Sequence, residues 1–597
     1  MPTFTAFALR ALLCSVLFHA GAVAADDSVP PTTDWPLYGL DYSNTRFSPL
    51  TQIDKGNVAG LTRAWTVKTG IPGTFQASPV VRDGVMYVST PFNHVLALDA
   101  ATGRELWRYT HQLTRKDSCC GPANRGVAVN DTHVYLATID ARVIALDRTN
   151  GTPAWEFALT HGDDGAMEDL GQLLAVPEFK GATQTGQTGY SANMAPQVIG
   201  DLVLVGVTGA GYGLHVETTE EGAPQISVAG LGGEKLGLRG FLVALDSATG
   251  KERWRWYVTG EGWEADFSAE TAYGVPLNRD LAAERAALER YGESWRFGGG
   301  SVWTTPAVDE ARGLIYIGTG NPAPQMDDAT RPGDNRHSIS LVALDLATGK
   351  LRWAYQQVPH DRWGYDVASP PVLFSLEIDG KPRDVVAQAS KVGWLFVHDR
   401  ESGELLRRSA PFVPQENLFA RPTAEGVRIA PSALGGCSWS PISVDLAQGR
   451  AFIAAVHWPA MYYSRKLDQP GLPWDTYTFV KPIPGAGEGV LAAIDLHSGD
   501  IAWRAPMDQP LIGGVLATAG KVVFVGESGG RFTALGSEDG KKLWSEAIAS
   551  GVNAPPVTYA VGGRQFVAVA AGGNSLFGFK TGDELISYAL PDAGKTP

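Results

Sequence analysis

The sequence predicts an all-β chain folded as an eight-bladed propeller, with inserted loops over the axial site. Three observations predict it: a repeated hairpin signature, a Trp at a constant offset after each hairpin turn, and a composition rich in turn formers. Gly occurs 70 times and Pro 38 times in 597 residues, and the 17 Trp and 18 Tyr suit strands better than helices.

The signature reads "VLALDAATGRELWRY" from 95, "VIALDRTNGTPAWEF" from 143, "LVALDSATGKERWRWY" from 242 and "LVALDLATGKLRWAY" from 341. Degenerate copies follow at 395, 491 and 532, and "LTRAWTVKTG" at 61 keeps the Trp end alone. Each full copy is an alternating strand, then Asp-x-x-x-Gly, then a second strand near a Trp. The Asp can hydrogen-bond its own turn and Gly takes the positive φ that the turn needs, which makes a hairpin. The Trp can pack between neighbouring sheets of a radial stack. Trp65, Trp107, Trp155, Trp254, Trp353, Leu406, Trp503 and Trp544 give eight such positions, with Leu406 marking a degenerate blade.

The long gaps between copies hold insertions, among them "GDDGAMEDLGQLLAVPEFKGATQTGQ" and a helix-like "RDLAAERAALERYG" at 279–292. Insertions of this kind build the mouth of an axial site. The N-terminus reads as a secretory signal over residues 1–25: Arg10, an apolar stretch over 11–19, and "AVAADD" as cleavage site. Residues 26–597 then form a single domain in a periplasmic location, with no later transmembrane segment. A formal net charge of −14 gives no general reason to expect a nucleic-acid partner.

"DSCCGPANRG", 117–126, sets Cys119 beside Cys120. Adjacent cysteines cannot easily share one tetrahedral ion, which leaves a buried accident, a free pair or a strained ring.

The ALD-x-x-TG-x-x-x-W repeat resembles that of proteins binding pyrroloquinoline quinone (PQQ), although non-enzymatic propellers of outer-membrane assembly use it too. The segments between repeats resemble the quinoprotein alcohol dehydrogenases of the methanol dehydrogenase type, over roughly Trp35 to Phe579. The resemblance implies a disulfide between Cys119 and Cys120 as one wall of the cofactor slot, with Arg125 following. "GGGSVWTTPAVD" is similar to the opposite wall, implying Trp303 there and Ser301 near a cofactor carboxylate. "GTGNPAP" supplies Asn321 as a metal-binding amide, and "RPGDN", 331–335, is a structural landmark. "ASKVGWLFVHDR" implies Lys391 beside the quinone oxygens. Gln76, Asn193, Thr208, Gly209, Ala210 and Asn553 are implied as further cofactor contacts. A tricarboxylate quinone needs cations such as Lys391 to hold it and to stabilise the reduced ring.

Two carboxylates of the family's mechanism are displaced. The catalytic Asp position reads Gly364 in "PHDRWGYDVASPP", and Asp366, two residues on, becomes a metal ligand, a substitute base, or both; Asp361 orders the loop. The metal Glu position reads Gly211, while "GGEKLGLRGFLVALD" carries Glu234 in what resembles the second half of the same motif. The expected metal ligands are therefore Glu234, Asn321 and Asp366 around calcium or a lanthanide, and the expected catalytic residues are Asp366 and Lys391. The implied activity is oxidation of an alcohol, primary or secondary, polyol and sugar included. The alternative is a non-catalytic PQQ-binding or protein-interaction propeller that has lost those carboxylates. No C-x-x-C-H occurs, so electrons are expected to leave to a soluble cytochrome c or another acceptor. Cys437 reads as a buried thiol.

Overall fold

Asp99 shows why the repeat makes a hairpin. Its Oδ1 accepts hydrogen bonds from Ala101 N–H at 3.1 Å, Thr102 N–H at 3.0 Å and Thr102 Oγ1 at 2.9 Å, closing the turn between strands Val95–Asp99 and Glu105–Tyr109. Asp147, Asp246, Asp345, Asp399 and Asp495 hold their turns in the same way. In the computed structural model, the described residues are 1, 34–114, 121–160, 190–209, 237–466 and 476–591, with the backbone of strands 182–184, 214–217 and 226–231. Residues 33–597 make one compact unit; the expected signal segment lies outside the described residues.

Among the described residues, the hairpins extend into seven four-stranded antiparallel sheets and an eighth of five strands, in which Phe47–Ser48 adds in parallel to strand Val515–Thr518. In one of the four-stranded sheets, strand Thr62–Gly73 near the start of the chain pairs with Gly582–Ala589 near its end. A ninth sheet, six-stranded, is assembled from insertions, in the order 182–184, 214–217, 226–231, 476–482, 460–466, 427–429. The helix-like segment is a helix, Leu281–Tyr291, whose N-cap Asp280 accepts from Ala283 N–H.

The Trp offset has a structural reason. The indole N–H of Trp65 donates to Ala100 O at 3.1 Å, the residue after the turn Asp of the next sheet. Trp107, Trp155, Trp254, Trp353 and Trp503 repeat this bond to Arg148, Ser247, Leu346, Arg400 and Ser537. The turn Gly of the next sheet lies under the same indole: a Cβ at Gly151, where φ is 74°, would stand 2.4 Å from Trp107. The repeat therefore keeps Asp, Gly and Trp together because each indole docks on its neighbour's turn. Burying most of an indole removes about 150–250 Å² from water, worth roughly 4–6 kcal/mol before entropy. At the degenerate position, Arg407 beside Leu406 supplies the bond, its Nη1 donating to Leu496 O at 2.8 Å. Trp544 instead meets Tyr588 edge-on, with centroids 5.2 Å apart.

Segment 35–47 crosses the first strands of several sheets. Trp35 pairs with Val81, and the carbonyls of Tyr42, Ser43 and Thr45 accept from Val308, Leu373 and Val444. Arg46, fully buried, donates to the carbonyls of Tyr38, Val515 and Pro556. Burial lowers its guanidinium to a pKa of about 10, and the three carbonyls compensate the desolvated charge.

Candidate active site

The turn after strand Lys381–Ala389 and the loop before strand Val372–Ile378 bring Lys391 and Asp366 together. Lys391 Nζ donates to Asp366 Oδ2 at 2.7 Å and to Gly364 O at 3.1 Å. Asn321 holds the same carboxylate from the other side, its backbone N–H on Oδ1 at 2.9 Å and its amide Nδ2 on Oδ2 at 3.0 Å. Gly320 and Ser301 complete the floor: Gly320 N–H bonds Ser301 O, and a Cβ at Gly320 would stand 2.7 Å from Asp366 Oδ1. All these residues are buried. Four sequence-expected residues, Ser301, Asn321, Asp366 and Lys391, thus form one hydrogen-bonded group.

Arg125 joins a second group to the first. Its backbone N–H bonds Asn193 O, its carbonyl accepts from Ser78 N–H two residues after Gln76, and its guanidinium lies 4.7 Å from the Trp303 ring centroid. Thr208 bonds Ser191 through its N–H, and a Cβ at Gly209 would clash with Leu238 O. Asn553 donates to Ser528 Oγ at 2.7 Å. Cys119, Cys120, Ala210 and Glu234, with Gly211, lie outside the described residues.

Five of the expected cofactor contacts and the expected metal-binding amide share one property. Gln76 Oε1, Asn193 Oδ1, Thr208 Oγ1, Trp303 Nε1, Asn321 Oδ1 and Asn553 Oδ1 are all buried without a hydrogen-bond partner in the structure. Buried polar atoms are rarely left so, because each costs about 1–3 kcal/mol. Five of them at positions expected to contact one polar, planar ligand, with Asn321 Oδ1 at the position expected to bind a cation, fit a rim of donors and acceptors for that ligand and its cation.

Asp361 accepts from the N–H groups of Trp363, Gly364 and Tyr365 and so orders the loop as expected; burial pushes its carboxyl up to about 6. Arg331 of "RPGDN" is likewise structural, bonding the carbonyls of Pro324, Asp327 and Asp361 and the side chain of Asn335. At Gly364 φ is 84°, and a Cβ would meet Met326 Cε at 2.6 Å and Ala433 Cβ at 2.8 Å. The volume for a carboxylate at that position is filled. Cys437 is fully buried, its thiol donating to Ser440 O at 3.4 Å, and burial pushes it up to about 12.

The family of PQQ glucose, ethanol and alcohol dehydrogenase β-propeller domains matches residues 35–408. This chain belongs to that family. As a PQQ-dependent alcohol dehydrogenase it is 33% identical to the quinohemoprotein alcohol dehydrogenase of Comamonas testosteroni, across 92% of this chain and 74% of that protein. It is 30% identical to the quinoprotein ethanol dehydrogenase of Pseudomonas aeruginosa, across 92% and 87%. A europium-containing methanol dehydrogenase superposes with TM-score 0.74 at 26% identity, covering 94% of this chain and 98% of that one. Residues 487–590 also match the outer membrane protein assembly factor BamB, in line with a repeat common to both groups.

Sequence reasoning did not single out Trp439 of this quinoprotein, which packs on two expected site residues. Trp439 lies 6.0 Å from Trp303 and under the Arg125 guanidinium at 5.6 Å, and its Nε1 is another buried N–H without an acceptor. "GGCSWSP" drew attention to its cysteine; the Trp two residues on was the more informative residue.

Proposed function

We propose that this quinoprotein oxidises its alcohol at the Asp366–Lys391 pair, with Asp366 as the base in place of the family carboxylate absent at Gly364. The single observation that carries this is the 2.7 Å contact between the two side chains, beside an Asn321 amide oxygen that has no partner. Asp366 accepts three hydrogen bonds, which leaves a lone pair of its roughly four for the alcohol proton. Lys391 fixes the carboxylate and presents N–H groups where negative charge develops.

PQQ, when bound, supplies the two-electron oxidant that takes up the hydride of the alcohol. Gln76, Arg125, Asn193, Thr208, Gly209, Ala210, Ser301, Trp303, Lys391 and Asn553 would hold it, with the Cys119–Cys120 disulfide as the second wall. For a cation, Asn321 Oδ1 is a hard oxygen donor of the kind calcium or a lanthanide takes, with Glu234 as the further ligand; the one free Asp366 lone pair serves either the cation or the alcohol proton, not both at once. The Lys391 ammonium already balances the charge of the Asp366 carboxylate in that set.

The eight sheets are read as the eight blades of one closed ring over residues 26–597, because six indole-to-turn bonds, the Arg407 bond to Leu496 and the Trp544–Tyr588 contact run from each sheet to the next, and strand 62–73 joins the two ends of the chain. Residues 1–25 are read as a signal that delivers the enzyme to the periplasm, where a soluble cytochrome c or a similar carrier accepts the electrons. Among the described residues no helix is long and apolar enough to cross a membrane.

The test is reconstitution with PQQ and a panel of cations, followed by dye reduction over an alcohol panel, with Glu234→Ala alongside. The reading requires PQQ uptake and alcohol-dependent turnover with calcium or a lanthanide. Uptake without turnover under every cation supports the non-catalytic alternative instead.

A further inference from the structure

The six-stranded sheet of insertions is no part of the eight repeat sheets, yet one of its side chains ties together two loops that frame the catalytic pair. Tyr462 is the third residue of strand Ala460–Lys466, opposite Val427 on one side and Val480 on the other. It is fully buried, in one cluster with Trp363, Tyr365, Val392 and Met326. Such packing places the ring, but a buried hydroxyl needs polar partners of its own.

Those partners are backbone groups of the two loops. The Tyr462 hydroxyl donates to Trp363 O at 2.9 Å and accepts from Ala433 N–H at 2.7 Å. Burial raises its pKa, so it stays a neutral phenol able to do both. Tyr365 adds a second tie between the same loops, its hydroxyl donating to Pro431 O at 2.8 Å. Trp363 is fastened in turn by its indole N–H, which donates to Ala420 O at 2.7 Å.

Both loops lead to the reacting groups. Trp363 immediately precedes Gly364, whose carbonyl accepts from Lys391 Nζ, and Asp366 follows two residues later. Loop 430–440 backs Lys391: Cys437 N–H bonds Ser390 O at 3.1 Å, and a Cβ at Gly436 would stand 2.1 Å from Lys391 O. The Ala433 methyl fills the space beside Gly364, 2.8 Å from a Cβ there. The Tyr462 hydroxyl therefore bridges the loop that carries Asp366 and the loop that backs Lys391.

We propose that Tyr462 is a positioning residue for alcohol oxidation: through its two hydrogen bonds the insertion sheet holds Asp366 and Lys391 in register, in a chain that has no carboxylate at Gly364. This rests on the assignment of the reaction to the Asp366–Lys391 pair. Proton transfer needs the base within hydrogen-bond reach of the alcohol, and a misplacement of about 1 Å costs on the order of 10²-fold in rate. Removing the hydroxyl strands a buried N–H and a buried carbonyl, which recover partners only if the loops shift. A group that fixes the base without touching the alcohol acts on kcat rather than KM.

The test compares PQQ-loaded wild type and Tyr462→Phe, each with and without Asp366→Asn, by dye reduction over ethanol, 1-butanol and glycerol. We expect Tyr462→Phe to lower kcat by about 10–100-fold with KM within about threefold, and to cause no further fall in the Asp366→Asn background, whose base is already gone. Hydrogen exchange of the cofactor-free proteins, read by mass spectrometry, follows the same brace without turnover. Amides of 361–367 and 430–437 should exchange about tenfold faster in Tyr462→Phe, while strands Val95–Asp99 and Arg142–Asp147 keep their wild-type rates. Unchanged kcat, or an equal fall in both backgrounds, overturns the proposal, and so does exchange that rises evenly along the chain or not at all. If no alcohol is oxidised, or Asp366→Asn turns over fully, it is the reaction assignment that fails, and exchange decides the brace: a rise confined to the two loops upholds it, and any other pattern overturns it. Should Tyr462→Phe not fold, Tyr365→Phe, which cuts the parallel tie, is read by the same criteria.

Discussion

Lys391 Nζ sits 2.7 Å from Asp366 Oδ2, and the two side chains are only 9% and 8% exposed. An ion pair this deep exists because each charge compensates the desolvation of the other, so removing one strands its partner. Lys391→Met should lower unfolding free energy by about 3–5 kcal/mol, and adding Asp366→Leu should recover most of that loss. Chemical denaturation of the single and double variants measures the coupling.

Gly364 cannot be converted back to the family pattern by substitution alone. With φ at 84° and the Met326 and Ala433 methyl groups inside 3 Å of a Cβ, Gly364→Asp should cost about 2–4 kcal/mol and not raise turnover. A lower melting temperature with unchanged or reduced dye reduction is the expected result.

The docking of each indole on the next turn predicts a severe effect from one methyl group. Gly151→Ala combines a φ of 74° with a Cβ 2.4 Å from Trp107 and should destabilise by about 2–4 kcal/mol. The same change at Gly84, where φ is also 74° but nothing lies within 4 Å, should cost only the backbone strain, about 1 kcal/mol. Thermal melts of the pair separate the two contributions.

Most of the fold was legible because the repeat encodes local and tertiary requirements in the same residues. Asp99 closes its turn, Gly103 takes the positive φ and underlies Trp65, and Trp65 reaches the carbonyl that follows Asp99. The grouping of Ser301, Asn321, Asp366 and Lys391 was legible only through family motifs, since they lie on four loops separated by strands. The packing of Trp439 against Trp303 and Arg125 was not legible, because an aromatic residue in a loop looks the same whether it fills a core or lines a site. Segment 35–47 was also missed: its bonds go to backbone carbonyls and N–H groups of distant sheets, which leave no sequence pattern.

Asp327 supplies a pH dependence with a definite sign. Burial, with Asp328 beside it, raises its carboxyl from 3.8 to about 7. The native state therefore keeps a proton that the unfolded chain releases near pH 4, and the stability this contributes is lost as pH rises from about 4 to about 7. Asp327→Asn should flatten that slope, gaining a few kcal/mol over wild type at pH 8 while matching it near pH 4. Unfolding free energies across that window check it.

The most direct measurement is alcohol turnover by PQQ-loaded Asp366→Asn, with cofactor content determined in the same sample. Asparagine keeps the shape of Asp366 but cannot take the proton, so turnover should fall by about 10²–10⁴-fold at undiminished PQQ content. Full turnover by a loaded Asp366→Asn enzyme would contradict the account, because the base would then be another group.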